Sequence, residues 1–128
     1  PEDPAASNYL GYMWAEKGIN LDSAMVLLQN ALSKEPQNGA FLDSYAWIFY
    51  QKGDLDSAYF YIRKAAEKIT DDPIIFSHLG DIYFKKGELK SALDAYNKSL
   101  EFKPEDIESI QEKISTIEEL LRQSGYKK

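Results

Sequence analysis

The four residues Leu21-Asp22-Ser23-Ala24 return unchanged as Leu55-Asp56-Ser57-Ala58, 34 positions later, and again in near copy as Leu89-Lys90-Ser91-Ala92. A period of this length marks a chain made from one supersecondary unit used repeatedly, since each unit buries its apolar face only against a neighbour. Other columns keep the step. Ala31, Ala65 and Ser99 are 34 apart, and Pro36 and Pro104 are two periods apart, with Thr70 in the middle place. Earlier in each unit, Leu10-Gly11, Tyr45-Ala46 and Leu79-Gly80 share one place. Trp14, Phe49 and Tyr83 follow, and then Gly18, Gly53 and Gly87. The first interval in this half is 35 rather than 34. The surplus residue falls between Gly18 and Leu21, in a turn, where an insertion costs least.

Each unit divides at its glycine into two helical stretches. The pattern predicts first helices over about 4–17, 39–52 and 73–86, and second helices over about 22–34, 56–69 and 90–102. Asp3-Pro4 and Asp72-Pro73 open two first helices alike: aspartate caps free backbone N–H groups and proline suits the first helical position. Asn38-Gly39 is the looser equivalent. Asp22, Asp56 and Glu88 put acid near the starts of the second helices, the favourable end of the helix dipole. Small residues at the crossings let paired helices approach. Trp14, Phe49 and Tyr83 on the first helices, and Leu28, Ile62 and Tyr96 on the second, fill the wider gaps.

Beyond Pro104 the pattern changes. Ile107, Ile110, Ile114, Ile117 and Leu121 recur at helical spacing among Glu108, Glu112, Lys113, Glu118 and Glu119, which predicts one longer amphipathic helix over about 105–123. Gly125 and the lysines beyond it are expected to fray. A stack of repeats leaves its last apolar face bare unless something closes it, and this helix suits that task. The alternative is a fourth first-helix, but the paired-helix phrase does not follow it. The expectation is an all-α chain: one domain, 1–128, with repeats at about 4–38, 39–72 and 73–104 and a capping helix at about 105–123.

Composition narrows the function. A formal charge of −6 disfavours nonspecific nucleic-acid binding. The absence of cysteine removes disulfides, thiolate chemistry and cysteine-ligated metals. No run approaches the roughly 18 apolar residues of a membrane span, and no secretory leader pattern stands at the start. The sequence opens at Pro1 rather than Met, as an excised piece of a longer array would, and Tyr9, Met13 and Met25 then offer apolar area at the first edge. Preceding repeats or a second copy of the chain would cover it.

The phrases YLGYMWAEKG, SYAWIFYQKGDLDSA and HLGDIYFKKGELKSALDAYNKSLEFKP resemble the tetratricopeptide repeat, over about residues 4–104. The third unit is nearest the family pattern. The second departs at Tyr45-Ala46 and Thr70, and the first at its inserted turn residue. A narrower resemblance is to the C-terminal repeats of large bacterial tetratricopeptide proteins, many of them exported or lipid-anchored. It implies a bacterial cell-envelope or periplasmic setting, with the cytoplasm as the alternative. The family resemblance implies a right-handed solenoid of three antiparallel helix pairs plus the C-terminal capping helix. It also implies a concave face, lined by the first helices, that receives a peptide or a helix of another protein. Carried over residue by residue, that groove comprises Asn8, Tyr9, Tyr12 and Glu16 in the first unit. The second supplies Asp43, Ser44, Trp47, Tyr50 and Gln51, and the third Ser77, His78, Asp81, Phe84 and Lys85.

Rings at Tyr9, Tyr12, Trp47, Tyr50 and Phe84 are a heavy load for an idle surface, since Tyr and Trp bury large areas while keeping a polar handle. The plainer reading is that they pack between units. Asp43, Asp81 and Glu16 favour a ligand with positive charge, while Lys85 and Lys86 can hold an acidic end. Chaperone-binding members of the family clamp a terminal carboxylate with basic and asparagine side chains. Here Asn8, Tyr12, Ser44, Ser77 and His78 stand on those faces, so acidic chaperone tails are not the expected ligand.

No catalytic set emerges. His78 and Asp81 are two potential ligands, too few for a transition-metal site. Asp71-Asp72 reads as capping and Glu118-Glu119 as a solvated helix face. Ser23 and Ser57 have no histidine in their units, and the glycines fall one per turn rather than in a phosphate-binding loop. In the stretch Tyr59–Ile69, Ile62, Ala65, Ala66 and Ile69 turn inward, leaving Arg63, Lys64, Glu67 and Lys68 outside. The expected function is therefore noncatalytic protein recognition without cofactor or metal. The alternative is a structural or accessory repeat segment that packs on itself or a copy and has no ligand of its own.

Overall fold

The computed structural model describes residues 3–125, and they form seven helices and no strand. These are α1 (Pro4–Lys17), α2 (Leu21–Lys34), α3 (Gly39–Lys52), α4 (Leu55–Lys68), α5 (Pro73–Lys85), α6 (Leu89–Glu101) and α7 (Ile107–Gln123). Pro1 and the lysines after Gly125 lie outside the described residues. The starts are 34 or 35 residues apart along α1, α3, α5 and α7, so α7 begins in the register of a first helix. The second helices α2, α4 and α6 each start one residue earlier than expected, at Leu21, Leu55 and Leu89, and α4 and α6 also end one residue early, at Lys68 and Glu101. α5 stops at Lys85, one residue early, and α7 starts at Ile107, because the Asp106 carboxylate accepts the Ser109 N–H at 3.1 Å and fixes the first turn there.

The helix ends follow local chemistry. Asp3 accepts the Ala5 N–H at 3.0 Å, Asn38 the Phe41 N–H at 3.1 Å and Asp72 the Ile74 N–H at 2.8 Å. Asp54, between the repeated glycine and leucine, caps α4 through the Ser57 N–H at 3.1 Å. At the other end of α3, Gly53 adopts φ 86°, a conformation that costs a side-chain-bearing residue free energy. The chain then closes with Gly53 N–H on the Tyr50 carbonyl at 3.0 Å and Asp54 N–H on that of Phe49 at 2.9 Å. Gly18 and Gly87 hold the same place. The inserted residue of the first turn is absorbed by Asn20, left-handed at φ 49° and without a side-chain cap bond.

The contacts divide the chain into two compact units, with the boundary between Thr70 and Asp71. In the first, α1 pairs with α2 and α3 with α4, and α3 also packs on both α1 and α2. Its core gathers Ala15, Ala24, Leu28, Ala31, Phe41, Tyr45 and Ile48, with Trp14, Trp47 and Phe49 packed around it. Lys52 Nζ reaches Asp22 Oδ1 at 2.5 Å, from the end of α3 to the start of α2. That ammonium holds the fully exposed Asp22 carboxyl below its usual range. In the second unit, α6 packs on both α5 and α7. Its core joins Ala92, Tyr96, Ile110 and Ile117, with Tyr83 and Ile114 against it.

The division into small contacts and large fillers is visible at atomic scale. Ala24, Ala58 and Ala92 are fully buried, as are Ala31, Ala65 and Ser99. Ser99 keeps its hydroxyl satisfied by donating to the Pro73 carbonyl at 2.7 Å, which ties the end of α6 to the start of α5. A Cβ on Gly11 would collide with Leu28 Cδ2, and one on Gly80 would lie 2.6 and 2.8 Å from Tyr96 Cδ1 and Cζ. In both pairs the filler occupies the volume that a missing Cβ leaves.

Candidate functional site

The groove predicted along the first helices is best described unit by unit. On the first, Tyr12 and Glu16 lie one turn apart on α1, and the Tyr12 hydroxyl donates to Glu16 Oε2 at 3.2 Å. Trp47 holds the corresponding place on α3. Its indole stacks on Tyr50 with ring centroids 4.3 Å apart and planes 9° from parallel. Both rings are half-buried, so the pair rests on the core and still shows surface. Tyr9 is 70% exposed, and Asn8 is half-buried with its Oδ1 buried and without a hydrogen-bond partner. Asp43 and Ser44 are buried, and Ser44 donates to the Ala40 carbonyl at 3.2 Å. Gln51 spans helices instead, its Nε2 donating to the Ala15 carbonyl at 2.7 Å.

On the second unit, Lys85 is exposed, Phe84 is 38% exposed and Ser77 is half-buried. His78 is buried. Asp81 turns toward its own unit: its Oδ1 accepts the Tyr96 hydroxyl and sits 3.0 Å from Lys113 Nζ. The same ammonium lies 5.6 Å from the centre of the Tyr96 ring. One carboxylate thus joins α5, α6 and α7. Sequence reasoning placed Asp81 in the groove and did not foresee this network. The signal was present: in the third unit alone, an acid replaces the aromatic of Tyr12 and Trp47 and a phenol replaces the aliphatic of Leu28 and Ile62. Two columns turned polar together in a buried layer point to a bond between them.

Among the described residues, no three histidine or carboxylate side chains gather as a metal site. Nor is any helix long and apolar enough to cross a membrane. On the first unit, the Trp47–Tyr50 stack of α3 and the Tyr12–Glu16 pair of α1 both keep exposed area.

Paired helices joined by tight turns, repeated at 34 residues with a small-residue crossing in each, define a helical-repeat protein. Residues 73–106 match the model of the tetratricopeptide repeat. That match covers the third of the three repeat units, and the chain as a whole has the fold of a tetratricopeptide-repeat domain. Its fold is similar to that of the first such domain of Spaghetti (RPAP3) bound to the HSP90 peptide SRMEEVD, at 18% identity and TM-score 0.82, covering 93% of each chain. It is also similar to the Sgt2 domain from Aspergillus fumigatus, at 20% identity and TM-score 0.84, covering 95% of this chain and 81% of that one. A third similar structure is the type III secretion chaperone SycD of Yersinia enterocolitica in complex with a peptide of the translocator YopD. There the identity is 18% and the TM-score 0.76, over 89% of this chain and 91% of that one. No curated protein matches the chain in sequence.

Proposed function

We propose that the protein is a noncatalytic recognition module and that the α1–α3 face of its first unit takes a peptide or helix from a partner protein. The stacked Trp47–Tyr50 pair carries this reading. Two rings already fixed against each other lose little side-chain freedom on binding, and each adds apolar area with a polar edge. Tyr12 extends the apolar strip, and Glu16 selects for positive charge. Asp43 and Ser44 give a ligand only their edges. On the second unit, Ser77, His78, Phe84 and Lys85 are the corresponding candidates of α5. Gln51 and Asp81, bonded within their own units, serve the fold in this reading. That two similar folds hold peptides supports the ligand class, not its sequence.

The test is affinity. A peptide selected from a displayed library on the intact chain, followed by fluorescence anisotropy, should lose about 2 kcal/mol, roughly 30-fold, on Trp47→Ala while circular dichroism stays helical. The peptide SRMEEVD should fail to bind, because the basic clamp for its carboxylate is not assembled. Unchanged affinity of the selected peptide for Trp47→Ala would reject this face.

A second reading rests on a different observation. Tyr9, Leu10 and Val26 are 70%, 36% and 64% exposed on the first helix pair, and a second copy of the chain could cover them. In that case the segment is structural, and its mass by light scattering rises with concentration. A monomer at every concentration would eliminate it.

A further inference from the structure

The first unit carries another recess, away from the α1–α3 face, between the end of α2 and the pair α3–α4. Its volume is about 530 Å³, inside the range of roughly 300–1,000 Å³ usual for small-ligand clefts. Leu32, Pro36, Leu42, Tyr45, Phe60 and Tyr61 make it largely apolar. Gln29 lies at its wall and donates to the Tyr45 hydroxyl at 3.3 Å. Phe60 is 55% exposed and meets Tyr61 edge to face at 5.0 Å.

The repeat does not require a ring at Phe60, whereas Tyr61 packs against the core of the unit. The places of Phe60 and Tyr61 are filled by Val26 and Leu27 in the first unit and by Asp94 and Ala95 in the third. An exposed aromatic that the packing pattern can replace with aspartate is not there for the core. Charge is also specific. Among the described residues, Lys64 is the single charged side chain in the lining, held with its Nζ 5.1 Å from the centre of the Phe60 ring. Arg63, Glu67 and Lys68 are exposed on the same helix, so its last two turns carry three cations against one acid.

We propose that this recess binds a short acidic segment of a partner protein, an aromatic side chain entering between Phe60 and Leu42 while an adjoining carboxylate pairs with Lys64. The apolar wall supplies affinity by desolvating the ring. The lysine, already laid along Phe60, supplies orientation. This site shares no residue with the α1–α3 face, so either can fail without the other.

The probe is N-acetyl-tryptophan, an aromatic ring carrying a free carboxylate, titrated into the isotope-labelled chain and followed by nuclear magnetic resonance. Saturable shifts are expected at Leu32, Leu42, Phe60 and Tyr61. Phe60→Ala should abolish them while the rest of the spectrum is retained. N-acetyl-tryptophanamide on the wild type, and N-acetyl-tryptophan on Lys64→Gln, should each bind about two- to five-fold more weakly, the worth of an exposed ion pair. Absence of saturable shifts at tens of millimolar probe would overturn the proposal, as would equal affinity for the acid and its amide.

Discussion

Replacing Tyr96 with alanine will destabilise the second unit by about 3–5 kcal/mol, measured by urea unfolding. The ring is only 2% exposed and fills the space beside Gly80, so its removal leaves a cavity between α5 and α6. It also takes away the phenol that Asp81 accepts and the ring over which Lys113 lies. Tyr96→Phe separates the two contributions: it keeps the packing, loses one charge-assisted hydrogen bond and should cost about 1.5–3 kcal/mol. Adding Gly80→Ala to Tyr96→Ala should recover part of the loss, because the new Cβ then meets empty space and alanine favours the helix by about 1 kcal/mol. In the wild type the same Gly80→Ala should destabilise, since the ring is tethered through Asp81 and Lys113 and cannot step aside cheaply.

Leu28→Ala is the parallel case in the first unit, with an expected loss of about 2–5 kcal/mol. Leu28 is fully buried and its Cδ2 lies over Gly11. Here, however, the obstructing atom is the end of a flexible side chain. Gly11→Ala should therefore be close to neutral in the wild type, the propensity gain offsetting a small shift of Leu28. In the Leu28→Ala background it should be clearly stabilising. Unfolding midpoints of the four variants in the cycle check this, and a strictly additive result would mean that the two residues do not share that volume.

These pairs also show what could be read from the chain before any coordinates. The columns of small and large residues were legible because they repeat: Gly11 with Leu28 and Gly80 with Tyr96 are sequence neighbours only modulo the period. Helix starts were legible at Asp3, Asn38 and Asp72, where side chain and backbone lie within three residues of each other. The inserted turn residue was visible too, although not that Asn20 would take the left-handed conformation. The polar links were harder. Gln51 reaches the Ala15 carbonyl across 36 positions and Lys113 reaches Asp81 across 32, and each side chain could equally have pointed to solvent. Helical spacing assigns a residue to a face but does not say whether its polar end turns outward or back to a neighbouring helix. Asp81 differs from Trp47 on that point although they hold the same place in the repeat. The recess at Phe60 escaped for a related reason: Tyr59–Ile69 reads as an ordinary amphipathic stretch, and the partner walls at Leu32, Pro36 and Leu42 are remote in sequence.

The reading of function rests on one surface. Trp47 packs on the core of the first unit and, stacked on Tyr50, still keeps part of its ring open, as Tyr12 does on α1. The direct measurement is cross-saturation from a bound, library-selected peptide to the deuterated protein, read at the Trp47 indole N–H and on selectively protonated Tyr12 and Tyr50 rings. Saturation at all three is the expected result. Saturation that bypasses them while the peptide is bound would contradict the assignment of this face.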